Sequence, residues 1–116
     1  MSERPVASDV SVVIPTLGRE LLEGCLESIT DGKVWPAEVI VVDQGATSGV
    51  ARSIERLSRR GLVITHMRSN EVGIAAGTNR GLERVRTRFV ATTHDDCRVH
   101  ADWIERLSVR LREVGD

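Results

Sequence analysis

Four short runs of aliphatic and β-branched residues punctuate the chain, at Val10–Ile14, Glu38–Val42, Leu62–His66 and Phe89–Thr93. Each is nearly continuous in apolar character rather than alternating. That is the pattern of a strand covered on both faces, as in a parallel sheet with crossover helices above and below it. Between the runs the apolar spacing changes to three and four. Leu21, Leu22, Cys25, Leu26 and Ile29 predict one helix, and Val50, Ile54 and Leu57 a second, with Gly61 placed to end it. Ile74, Thr78, Leu82 and Val85 mark a third. Trp103, Ile104, Leu107, Leu111 and Val114 mark a fourth, closed by Gly115. The order is βαβαβαβα.

Right-handed crossovers arrange such a chain as an α/β, Rossmann-like parallel sheet in the order 3-2-1-4 with helices on both faces. The direction of travel reverses between strands one and four. Ligands are therefore expected in the crevice outside the carboxyl ends of strands one, two and four. The loops there hold Pro15–Arg19, Asp43–Gly45 and His94–Asp96. Residues 1–9 read as a flexible N-terminal arm and residues 10–116 as one domain.

Composition narrows the chemistry. Of 116 residues, 41% are hydrophobic and only 3% aromatic, so the core is aliphatic. Sixteen basic and 17 acidic residues leave a net charge of −1, with no basic excess to neutralise a run of phosphates, which argues against nucleic acid as the main partner. The arginines cluster at 52–60 and 80–88, spacings that suit solvated faces. Cys25 and Cys97 form neither a disulfide framework nor a zinc motif, and Cys25 falls on an apolar helix face. The polar N-terminus lacks a signal-peptide pattern and no apolar run reaches membrane-spanning length, so a cytoplasmic location is the default expectation.

The chemistry concentrates at Asp95 and Asp96, just past the fourth run. Adjacent carboxylates repel unless a cation lies beside them, and hard oxygen ligands suit Mg²⁺ or Mn²⁺. The alternative is a pair that only caps the following helix. The loop after the first strand has neither the GxGxxG of dinucleotide folds nor the GK[ST] of a P-loop, which excludes the common dehydrogenase and NTPase fingerprints. An acid closing strand two, Asp43, commonly bonds a ribose hydroxyl or a base N–H. It can equally cap its own loop. Together these residues describe a nucleoside-diphosphate site built without a glycine-rich phosphate loop.

Four pieces in order then resemble the N-terminal, nucleotide-sugar-binding half of family-2 glycosyltransferases with the GT-A fold. They are Ser11–Thr16, Glu38–Gly45, Gly73–Leu82, and His94–Arg98 with Ala101–Ile104, and the likeness runs from Val10 to Val114. It implies a domain binding a nucleotide diphosphate sugar, a UDP-sugar above all, with Mn²⁺ or Mg²⁺ for inverting transfer. Pro15 and Thr16 would line the nucleotide pocket, Asp43 would accept from the base, Gly73 would admit backbone close to the nucleotide, and Asn79 would border the sugar diphosphate. Asp96 matches the last acid of the family's DxD motif as metal ligand. His94 stands where the first acid is usual; imidazole can ligate Mn²⁺, and Asp95, counted with the nucleotide-binding residues, could substitute for that acid by a small shift. Gly77-Thr78 replaces a common Ala-Arg pair. The acceptor, and the carboxylate base that would activate it, belong to later strands of the family fold with no counterpart in this sequence. The alternatives to an enzyme are a non-catalytic nucleotide-sugar-binding module and a structural domain that pairs, as a homodimer, through the edge strand 89–93.

Overall fold

The computed structural model describes residues 4–18, 20–45 and 49–114. Strands β1 (Val6–Thr16), β2 (Trp35–Asp43), β3 (Ile64–Arg68) and β4 (Phe89–Thr92) form one parallel sheet in the order β3-β2-β1-β4. Helices α1 (Leu21–Thr30), α2 (Gly49–Ser58), α3 (Ile74–Leu82) and α4 (Trp103–Val114) alternate with them. This is the expected α/β half-sheet, strand order included.

Strand boundaries differ from expectation where polar residues are satisfied at long range. Residues 6–9 are not a loose arm: they begin β1, with Val6 opposite Trp35 and Ala7 opposite Pro36. Ala7 is buried, and the Asp9 carboxylate is held by the Arg112 guanidinium near the end of α4 at 2.9 and 3.0 Å. A sequence window cannot show that contact, 103 residues away. Residues 1–3 and Gly115 lie outside the described residues.

The two central strands are covered on both sides, as their unbroken apolar runs require. On one face Val10, Val12, Ile14, Val39 and Val41 meet Leu22, Cys25, Leu26 and Ile29 of α1, Val50, Ile54 and Leu57 of α2, and Ile104 of α4. On the other face Val13, Ile40 and Val42 pack with the half-buried Met67, Val85 and Val90, and α3 lies against β1 and β2. Here the expected apolar stripe is corrected. Ile74 and Leu82 are exposed, while the buried positions of α3 are Gly77 and Gly81. A Cβ on Gly81 would stand 2.4 Å from Val13 Cγ1, and one on Gly77 2.7 Å from Pro15 Cβ. The helix touches the sheet with its backbone, so its larger residues point elsewhere.

Among the described residues, nothing pairs with the outer side of β4, and no helix is long and apolar enough to cross a membrane.

Candidate functional site

β1, β2 and β4 end together at one edge of the layers, and α3 begins beside them. The loops there enclose a hollow of about 260 Å³. Its wall on the β1 side is Pro15, Thr16 and Leu17; Val72, Gly73 and Ile74 face it from the start of α3; His94, Asp95 and Asp96 close it from the loop after β4. Gln44, following β2, completes the lining.

Each of these side chains is placed by local chemistry. Thr16 Oγ1 donates to Asp95 Oδ2 at 2.8 Å and accepts from the Gly18 amide at 3.0 Å, so one hydroxyl both shapes the turn after β1 and anchors the loop after β4. Asp95 is consequently 6% exposed, whereas its neighbours His94 and Asp96 are exposed. The Cys97 amide closes a tight turn on the His94 carbonyl at 3.1 Å, and the Cys97 thiol lies 3.7 Å from Asp96 Oδ1. Gly73 takes φ 115° to start α3 with no side-chain cap, a conformation L side chains rarely adopt.

The end of β2 is built differently. Asp43 is fully buried and its two carboxylate oxygens are engaged: Oδ1 accepts from the Gly45 amide at 3.0 Å, and Oδ2 meets His66 Nε2 at 2.9 Å and Arg68 NH1 at 3.2 Å. The Asp43 carbonyl accepts from the Ser69 amide at 3.0 Å. Parallel register puts Arg68 opposite Asp43 and His66 opposite Val41, so the residues at 66 and 68 share the Asp43 side of the sheet. That register was the available signal. Without it His66 reads as a surface residue and Arg68 goes unnoticed.

Six of the residues picked from sequence are therefore brought together in one hollow: Pro15, Thr16, Gly73, His94, Asp95 and Asp96. Two are not. Asp43 lies beneath the loop, outside the lining, and Asn79 sits on the exposed side of α3, also outside it. Arg19 is outside the described residues. Leu17 and Gln44 lie in loops that the sequence places at the crevice, with no role of their own assigned; Val72 and Ile74 were missed, and with Leu17 they form an apolar rim of three side chains more than half exposed at the mouth.

Two carboxylates line the hollow and, among the described residues, no Lys or Arg does. Nor does any group of three His, Cys, Asp or Glu stand close enough to cage a metal ion among those residues. This donor set fits a hard divalent cation only if the cation is shared, with a carboxylate on the protein side and water and ligand oxygens supplying most of the rest, as is usual for Mg²⁺ with phosphates; the His94 imidazole is a softer donor than such an ion prefers.

The family model described as Glycosyl transferase family 2 matches residues 11–114. Among curated relatives, glycosyltransferase AglE of Haloferax volcanii is 31% identical over 103 residues, covering 84% of this chain and 33% of that protein. Glycosyltransferase GlyA of Streptococcus pneumoniae is 25% identical over 109 residues, covering 93% of this chain and 16% of that protein. Among solved structures, S. aureus TarS 1-349 in complex with UDP-GlcNAc matches with a TM-score of 0.77 at 20% identity, covering 90% of this chain and 31% of that one. The chain thus spans a third or less of the length of each of these proteins.

Proposed function

The chain belongs to glycosyl transferase family 2, and from that premise we propose that its hollow receives the nucleoside diphosphate of a sugar donor, a UDP-sugar, together with a divalent cation. The observation that carries the reading is the gathering of His94, Asp95 and Asp96 opposite the start of α3, in the hollow at the carboxyl ends of the strands. A divalent cation shared between the Asp96 carboxylate and the diphosphate oxygens would join the two.

The residues divide the work. Leu17, Val72 and Ile74 give an apolar mouth against which a nucleoside loses water. Thr16 holds Asp95, and through it the turn that carries Asp96. Asp96 and His94 are the residues to hold Mn²⁺ or Mg²⁺. Such a cation, when bound, neutralises charge on a leaving diphosphate. No general base is assigned among these residues; in this reading the base and the acceptor site for inverting transfer lie in regions of the longer relatives beyond the match. A cytoplasmic setting, where Cys25 and Cys97 stay reduced, goes with it. So does pairing of a second copy along the outer side of β4, whose N–H and C=O groups have no strand partner among the described residues.

Calorimetric titration of UDP with Mn²⁺ and with chelator tests the reading. UDP should bind more tightly with Mn²⁺, and Asp96→Ala should abolish the increment, a loss on the order of 1.5–3 kcal/mol for one charged contact. Equal affinity with Mn²⁺ and chelator would remove the cation. Absence of binding by any nucleotide would leave a structural domain. Binding without transfer when a full-length relative is active would assign a non-catalytic module.

A further inference from the structure

Both outer strands of the sheet, β3 and β4, have one side without a strand partner among the described residues. Their flanks differ. β3 follows Arg59 and Arg60 and ends in Arg68, so it is basic at both ends. β4 follows the exposed Arg84, Arg86 and Arg88 and runs into His94, Asp95 and Asp96, so the charge of the chain reverses along it. Two like strands paired across a two-fold axis run antiparallel, and the start of each meets the end of the other. On β3 that operation sets arginine beside arginine. On β4 it sets arginine beside aspartate. β4 also carries no Pro, no Lys and no break in its register, the usual guards of an open edge.

Backbone direction selects the register. The Thr93 amide donates to the Val13 carbonyl at 3.2 Å, so Thr93 and the alternate residues Ala91 and Phe89 turn their N–H and C=O groups toward β1. Val90 and Thr92 turn theirs outward. A two-fold axis must place one residue opposite its own copy. Centred on Ala91, it lets Val90 exchange both bonds with Thr92 of the other copy and engages the outward groups of the whole strand. Centred on Val90, it would draw in Arg88, which lies in the bend before β4 with its guanidinium 4.8 Å from the Phe89 ring. In the first register Arg88 comes opposite His94 of the other copy, and Arg86 opposite its Asp96.

We propose that this chain forms a two-fold dimer by antiparallel pairing of β4 with β4 of a second copy, centred on Ala91, in which Arg86 and Arg88 of each copy border the His94–Asp96 turn of the other. That turn lines the hollow, so each hollow gains arginines at its rim from the opposite copy. So short a ladder binds weakly by itself, and the charges at its two ends set partner and direction. The inference deepens the pairing read above by fixing its register, and it does not depend on what the hollow binds.

Sedimentation of the full chain over a range of concentrations tests it. Wild type should pass from monomer to dimer in the micromolar range. Thr92→Pro removes an outward N–H while leaving the bonds to β1, and should stay monomeric with its circular dichroism unchanged. Two charge variants need no change of backbone: Arg86→Glu with Arg88→Glu, and Asp96→Arg. Each alone sets like charges together and should weaken its own dimer by about tenfold or more. Mixed in equal amounts they face each other with opposite charges and should recover the dimer. A wild type that remains monomeric at high micromolar concentration overturns the proposal. So does a dimer that survives Thr92→Pro or either charge variant, or a mixture that fails to recover it. Titration of UDP keeps the donor site separate: a dimer that binds no nucleotide retains the interface and removes the donor site, and a monomer that binds UDP does the reverse.

Discussion

The two faces of the sheet solve the same problem with opposite means. One is covered by α1, α2 and α4 through interlocked Leu, Ile and Val side chains, with Leu22, Leu26, Ile29 and Leu57 all but inaccessible. The other is covered by α3 through Gly77 and Gly81, backbone against side chain, with three buried strand residues beneath. The first buries large aliphatic surface, each fully buried side chain worth roughly 1.5–3 kcal/mol. The second buries little and gains position. A helix seated on glycines lies close to β1, which brings its first residues, Gly73 and Ile74, up to Pro15 and the hollow. Stability is concentrated on one face and site geometry on the other.

Truncation should separate them. Leu26→Ala, in the thick face, should cost about 2–5 kcal/mol of stability by urea unfolding, with the affinity of the remaining folded protein for UDP unchanged. Gly81→Ala adds a single methyl to the thin face, where 2.4 Å to Val13 Cγ1 forces α3 outward. Its cost should be smaller, about 1–3 kcal/mol, but it should weaken nucleotide binding as well. If Leu26→Ala impaired binding per folded molecule and Gly81→Ala did not, the division of labour between the faces would be wrong.

The same contrast explains what the sequence disclosed. The thick face was legible because its residues follow the ordinary periods of strand and helix: Val10, Val12 and Ile14 against Leu22, Leu26 and Ile29. The thin face misled, since Ile74 and Leu82 carry the helical stripe while Gly77 and Gly81 make the contact. Gly73, Gly77 and Gly81 recur every fourth residue, and that spacing was the readable sign of close approach. The hollow was legible where its residues sit at strand ends, as Thr16 and Asp95 do. It was not legible where a role depends on pairing across strands. Asp43 is the case in point, for its charge alone suggests a ligand contact, and only the register with Arg68 shows it engaged inside.

Asp43 offers the next step down in effect. Asp43→Ala strips acceptors from the Gly45 amide, His66 and Arg68, and should cost about 1–3 kcal/mol, moderated because Arg68 can turn to solvent. Asp43→Asn keeps the shape and one acceptor oxygen and should cost less. Neither should alter UDP affinity per folded molecule if Asp43 acts only inside the protein. A large fall in UDP affinity in Asp43→Asn, at unaltered urea stability, would return base recognition to Asp43.

The smallest effect expected lies at the far end of the thick face, where Asp9 of β1 grips Arg112 of α4 through two contacts of 2.9 and 3.0 Å. The hydrogen bonds from Arg112 hold the Asp9 carboxyl below its ordinary value of 3.8. A carboxyl depressed by folding adds stability at pH values above its unfolded pKa and loses that contribution as pH falls through the folded one. The pair is solvent-accessible, so its contribution is modest and screened by salt. Wild type should therefore exceed Asp9→Asn slightly in melting temperature at pH 6. The gap should narrow as pH drops below about 3.8, and should close in 1 M salt. A gap that survives both acid and salt would mean that Asp9 anchors the start of β1 by shape rather than by charge.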